Sequence, residues 1–147
     1  MSDVTFSRRE LAESDLPIYA GVGMDRITLV NDAALAVQAS AALLAAPAIG
    51  FDTESKPTFL KGEISTGPHL VQLATDEHVY LFPVVFAANH DVLRQILAAP
   101  QVLKVGFGLG NDRSALRTRL GIELNNVLDL GEVLRGPGHR GTVGAKV

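Results

Sequence analysis

The run Ala48-Ile49-Gly50-Phe51-Asp52-Thr53-Glu54 carries two messages at once. Its first half is short, apolar and preceded by Pro47, which reads as a buried β-strand. Residues two apart in a strand project to the same face, so Asp52 and Glu54 emerge side by side at its end. Neighbouring anions repel each other and resist desolvation, and they are tolerated best beside a cation. Two readings fit: a divalent-metal site built on the strand, or a strand that simply ends with both acids in solvated loop.

Working upstream, Ile27-Thr28-Leu29-Val30 is a short β-like run. Asn31 or Asp32 is placed to cap an Ala-rich helix that reaches about Ala46 and is stopped by Pro47. Downstream, residues 55–67 read as a loop. His69–Ala74 and His78–Phe82 are strand-like runs joined by Thr75-Asp76-Glu77, the pattern of a hairpin. Asn89 or His90 opens a helix with Val92, Leu93, Ile96 and Leu97 at helical spacing and Pro100 beyond its end. Val102–Phe107 is another strand, leading into Gly106-Phe107-Gly108-Leu109-Gly110. A helix follows from about Asp112 to Leu120, with Gly121 as C-cap. Val127–Leu130 is a short strand, and Glu132–Leu134 a helical turn. Residues 1–25 read as an N-terminal arm, and the glycine-rich tail 136–147 has no periodicity. The order predicts a mixed α/β sheet, with an antiparallel hairpin on an otherwise parallel core and helices flanking it.

Composition narrows the function. The 147 residues are 47% hydrophobic and 20% charged, as in a globular domain. The formal net charge is −3 and there is no basic run, so a nucleic-acid partner would be held locally or through metal. The absence of cysteine removes disulfides, thiolate metal sites and thiol nucleophiles. The first residues, with Asp3, Arg8, Arg9, Glu10 and Glu13, have no apolar core and do not form a signal peptide. The longest apolar stretch, 33–51, contains Gln38, Ser40 and Pro47 and reads as helix then strand, not as a membrane span. A soluble, cytoplasmic protein is expected.

Asp112 is the second candidate. It is either an N-cap of its helix or a third acid of the same site. Open α/β sheets bind ligands at the carboxyl ends of their strands, and the strands ending near Glu54 and Phe107 would put Asp52, Glu54 and Asp112 on one rim. An oxygen-only donor set suits Mg²⁺ or Mn²⁺ better than Zn²⁺. The glycine turn could instead cradle a phosphate, but it lacks the G-x-G-x-x-G spacing. His69, His78, His90 and His139 are scattered without ligand or triad spacing, and Ser55 and Ser114 have no neighbouring histidine.

Taken together, these segments resemble the DEDD 3′–5′ exonucleases, in the branch with ribonuclease D and the Werner exonuclease domain. Ile49–Glu54 looks like the first motif of that family. Val105-Gly106-Phe107-Gly108-Leu109-Gly110-Asn111-Asp112, followed by Leu116, looks like its second. The hairpin and Val127-Leu128-Asp129-Leu130 also fit, so the likeness covers about residues 27–135. It implies a ribonuclease H-like mixed sheet of five core strands and a two-metal mechanism on a single-stranded RNA or DNA 3′ end. Asp52 would bridge both ions, Glu54 would hold the ion that activates water, and Asp112 would help hold the other. The family's third motif is a Tyr or His followed by a fourth Asp. Residues 138–147 contain no Tyr or Asp, and His139 comes too early to substitute. The expectation is thus an incomplete exonuclease domain over 26–147, lacking its C-terminal helices. Hydrolysis would be weak or lost, since a general base alone contributes about 10²–10⁴-fold. The alternative is a catalytically degenerate nucleic-acid- or protein-binding module. A sheet face left uncovered would favour self-association.

Overall fold

The structure, a computed structural model, describes residues 20–134. The arm expected over 1–25 and the tail with His139 therefore lie largely or wholly outside the described residues. At the junction of that arm with the domain, Met24–Arg26 forms a short 3-10 turn. Six strands follow in chain order: β1 (Ile27–Leu29), β2 (Ala48–Glu54), β3 (Leu70–Ala74), β4 (Val79–Pro83), β5 (Leu103–Gly106) and β6 (Val127–Asp129). The helices are α1 (Ala33–Ala45), α2 (Ala88–Ala98), α3 (Gly110–Ala115) and the single turn α4 (Leu130–Val133).

The strand order is β1-β4-β3-β2-β5-β6. β3 pairs antiparallel with β2 and β4, while β1–β4, β2–β5 and β5–β6 are parallel, so β3 alone runs against the other five. This is the ribonuclease H-like arrangement expected, with six strands where the resemblance implies five. The extra one is the run at 27–29. It lies beside the hairpin's outer strand, with the Val30 N–H donating to Leu81 O at 2.8 Å, and so pairs backbone groups that β4 would otherwise leave as an open edge.

Local chemistry explains the elements. Asp32 caps α1, its carboxylate accepting from Leu35 N at 2.8 Å, and Pro47 follows the helix end. The hairpin turn closes through Thr75 N to His78 O at 2.9 Å, with the Thr75 hydroxyl accepting from His78 N at 3.1 Å. The helix with Asp112 begins at Gly110, earlier than its apolar spacing suggests, and continues past Ala115 as a π-helical turn, Leu116–Leu120.

One core holds these parts together. Ile49, Phe51, Val71, Leu73 and Phe82 on one face of the sheet pack with Ala36, Ala39 and Leu43 of α1 and Leu93, Ile96 and Leu97 of α2. The strand pairs put Leu29, Leu81, Gln72, Asp52, Val105 and Leu128 on the opposite face. That face contributes nothing to the buried cluster, and Leu29 and Leu128 are exposed on it. Among the described residues, Lys104 is the one charged residue that is buried, and it lies on the covered side. Its ammonium donates to Ala99 O at the end of α2 (2.5 Å) and to Asn125 O before β6 (2.8 Å). Burial pulls its pKa down.

Candidate metal centre

All five parallel strands end on the same rim of the sheet. Asp52 and Glu54 lie there on the open face of β2, both exposed, while Ile49 and Phe51 fix the strand's register by burial on the other side. β5 reaches the same rim at Gly106. A Cβ on Gly106 would sit 2.6 Å from the Phe51 carbonyl oxygen and 2.7 Å from Leu109 Cδ2, so only glycine lets β5 pass this close to β2. Gly108 then adopts φ +62°, the left-handed conformation that turns the chain into α3.

Asp112 is in the first turn of α3. It does not cap that helix, whose first residue is preceded by Leu109 with no side-chain cap. Its carboxylate instead accepts a hydrogen bond from the Thr53 hydroxyl. Thr53 points to the face opposite Asp52 and Glu54, so Asp112 approaches β2 from the helix side and the other two acids from the open side. The three share one rim, as the sequence suggests. They do not surround one point: among the described residues no three His, Cys, Asp or Glu side chains are gathered so as to hold a metal ion.

The electrostatics still bind the three together. The Asp52 carboxyl is raised above its ordinary value, first by burial, then by the charges of Glu54 and Asp112, against the lowering effect of the Thr53 N–H that donates to it at 2.9 Å. No ion pair neutralises any of the three among the described residues, where the pair found is Arg94–Asp91 on α2. An all-oxygen set of mutually repelling anions is the donor chemistry of a hard divalent cation, and in that respect the residues fit one. A cavity of about 340 Å³ adjoins Asp112, lined by Thr53, Ser55, Ser65, Asn111 and Arg119 among others. A larger one, about 620 Å³, lies at the far end of the sheet between Arg26, Ala46 and the hairpin turn, away from the acids.

The residue that sequence reasoning missed as part of this rim is Asp129, the last of β6. Its Oδ1 accepts from Gly108 N and Gly131 N, and its Oδ2 from Leu109 N, all at 2.9 Å. Burial raises its pKa, but the backbone donors of Leu109, Gly108, Gly131 and Glu132 outweigh that and hold it below the ordinary value. The glycine turn is thus an anion-binding nest filled by the protein's own carboxylate, which rules out its reading as a phosphate cradle. The signal available in sequence was an acid ending a strand just before a helical turn, the position of an N-cap. The three described histidines serve the scaffold: His69 Nδ1 accepts from Lys56 N (2.9 Å), His78 bonds the Thr28 hydroxyl (2.6 Å), and His90 bonds Val84 O (2.6 Å).

A mixed sheet with an acid pair ending its central strand and a third acid on the helix after the neighbouring strand defines an α/β domain with an acidic rim. The chain belongs to the 3′–5′ exonuclease domain family, whose sequence pattern matches residues 27–135. It is similar to Trypanosoma brucei RNase D solved with RNA U12, at 25% identity and TM-score 0.65, over 71% of this chain and 37% of that one. The Aedes aegypti Nibbler EXO domain has the same fold at 22% identity and TM-score 0.67, over 86% of this chain and 66% of that one. Escherichia coli RNase D also shares it, at 22% identity and TM-score 0.61, over 70% and 27%. The chain thus spans about a third of the trypanosome enzyme's length. No curated protein sequence matches it. No helix among the described residues is long and apolar enough to cross a membrane.

Proposed function

We propose that this chain carries the cation-binding part of a 3′–5′ exonuclease site, with Asp52, Glu54 and Asp112 holding Mg²⁺ or Mn²⁺ against the 3′ end of a single-stranded nucleic acid. The observation that carries the reading is the acid pair itself, Asp52 and Glu54 exposed on one face at the rim, with the Asp52 carboxyl raised first by burial and then by the charges of Glu54 and Asp112. When bound, divalent ions supply an activated water and charge stabilisation at the scissile phosphate. The chain's own residues have other tasks. Asp52 and Glu54 present two carboxylates on one face, separated by the pitch of a strand. Asp112 adds a third from α3, and Thr53 fixes its approach. The cavity beside Asp112, with Ser55, Ser65, Asn111 and Arg119, offers hydroxyl, amide and guanidinium donors to the terminal nucleotide.

The family supports phosphodiester hydrolysis from the 3′ end. The RNA bound by trypanosome RNase D supports a nucleic acid as the polymer. A cytoplasmic site of action is part of the same proposal. The test is a Mn²⁺ assay on single-stranded RNA and DNA labelled at the 5′ end. Progressive shortening that is lost in Asp52→Ala supports the reading. Metal-dependent binding without shortening would support the alternative, a degenerate binding module, and neither binding nor shortening would overturn both.

The open face of the sheet carries a second proposal, pairing with another copy of this chain. Leu29 and Leu128, 50% and 37% exposed, flank that face on β1 and β6. Sedimentation at high concentration should show a dimer, and a strictly monomeric species would contradict it.

A further inference from the structure

The carboxylate of Asp129 is separated from the other acids of the rim, yet two of its contacts lead to Asp112. Its two oxygens take the N–H groups of consecutive residues, Gly108 and Leu109, each at 2.9 Å. Leu109 is buried, with 3% of its surface exposed, and its carbonyl accepts from Arg113 N at 2.9 Å to form the first bond of α3. Asp112 lies inside that turn. Its position along and around the helix therefore follows that of Leu109, because the hydrogen bond from Arg113 N to Leu109 O restrains φ and ψ of the residues between them. At the other end, Gly131 N ties the same carboxylate to the start of α4, while Asp129 itself ends β6 and is paired with β5 through Gly106↔Asp129.

We propose that Asp129 is a positioning residue for the cation site: by clamping the glycine turn it sets where Asp112 meets β2, at Thr53 between Asp52 and Glu54. The proposal rests on the reading of Asp52, Glu54 and Asp112 as cation ligands. A carboxylate suits the task for a reason of geometry. Two adjacent N–H groups converge on it, and each needs its own acceptor oxygen. An Asn at 129 keeps one acceptor but turns an NH₂ towards a backbone donor, so one clamp bond is lost and replaced by a repulsive contact. An Ala removes all of them. Groups that orient ligating carboxylates from behind typically contribute about 10–100-fold in metal affinity, and Asp129 should fall in that range although it touches no metal.

The test is Mn²⁺ titration calorimetry on the full chain and its variants, at a temperature well below each variant's Tm. Asp52→Asn comes first, because it tests the underlying reading. Unchanged affinity there would overturn the cation site and the positioning role together. With Asp52→Asn weakened, Asp129→Ala should weaken Mn²⁺ binding by about 10-fold or more, and Asp129→Asn by less. A merely structural role would also lower affinity, so the deciding readout is a cycle with Asp112→Asn. If Asp129 acts through Asp112, adding Asp129→Ala to Asp112→Asn changes affinity no further. Effects that multiply in the double variant, or an Asp129→Ala protein with wild-type affinity, would overturn the proposal while leaving the cation site standing. Should Asp129→Ala fail to fold, Asp129→Asn carries the same cycle.

Discussion

Along β2 the side chains alternate between two environments. Ile49 and Phe51 are buried in the core shared with α1 and α2, whereas Gly50, Asp52 and Glu54 are exposed on the other face. The same division separates two carboxylates at the rim. Asp52 is raised by burial and by neighbouring anions; Asp129, whose strand register puts it on the covered side, is lowered by four backbone donors despite its own burial. One face uses its polar groups to complete the fold. The other holds charge that no ion pair among the described residues compensates, and uncompensated charge is what a site for a ligand requires.

The division can be broken or sharpened by substitution. The largest effect is expected from Phe82→Ala, since Phe82 is fully buried. It should cost about 3–5 kcal/mol in urea denaturation, while Leu128→Ser on the open face should stay within about 0.5 kcal/mol. Comparable losses would mean that both faces are covered in solution. Lys104→Met should come next, at about 1–3 kcal/mol, because the Ala99 and Asn125 carbonyls lose their buried donor.

The two carboxylates should respond to pH with opposite signs. A carboxyl lowered on folding stabilises the protein above its ordinary value near 3.8 and loses that contribution as pH falls through the lowered value. Asp129→Asn should therefore destabilise by about 1 kcal/mol at pH 7, and the gap to wild type should close in denaturation curves taken well below pH 3.8. A gap that persists there would contradict the ionic clamp. Asp52 is the reverse case: a raised carboxyl favours the folded state below 3.8 and withdraws that contribution as pH rises through the raised value. Asp52→Asn in metal-free buffer should thus raise Tm slightly at pH 7, by the equivalent of no more than about 0.5 kcal/mol given its exposure, and should have no effect in acid. A fall in Tm at pH 7 would mean that Asp52 already has a cationic partner within the fold.

What the sequence made legible is what local chemistry controls. Asp32 and Pro47 bracket α1, Thr75–His78 closes the hairpin, and the alternation in β2 places Asp52 and Glu54 on one face, all from spacing within a few residues. The course of the glycine turn was visible as well, but not what fills it. That depends on the pairing of Gly106 with Asp129 across β5 and β6, a register set between segments more than twenty residues apart, as is the Thr53–Asp112 bond between β2 and α3. The run at 27–30 was legible as β-like, but its place in the sheet was not. Ile27–Leu29 is too short to stand as a strand alone, and only the edge of β4 gives it a place.

The central claim, that the acids on the open rim form a cation site, is tested most directly by thermal denaturation of the chain across a Mn²⁺ titration, with Asp52→Asn as control. A ligand that binds only the folded state raises Tm with its concentration. The account predicts a rise in the wild-type chain that grows with Mn²⁺ and is absent in Asp52→Asn. An equal rise in both proteins, or none in the wild type, would contradict it.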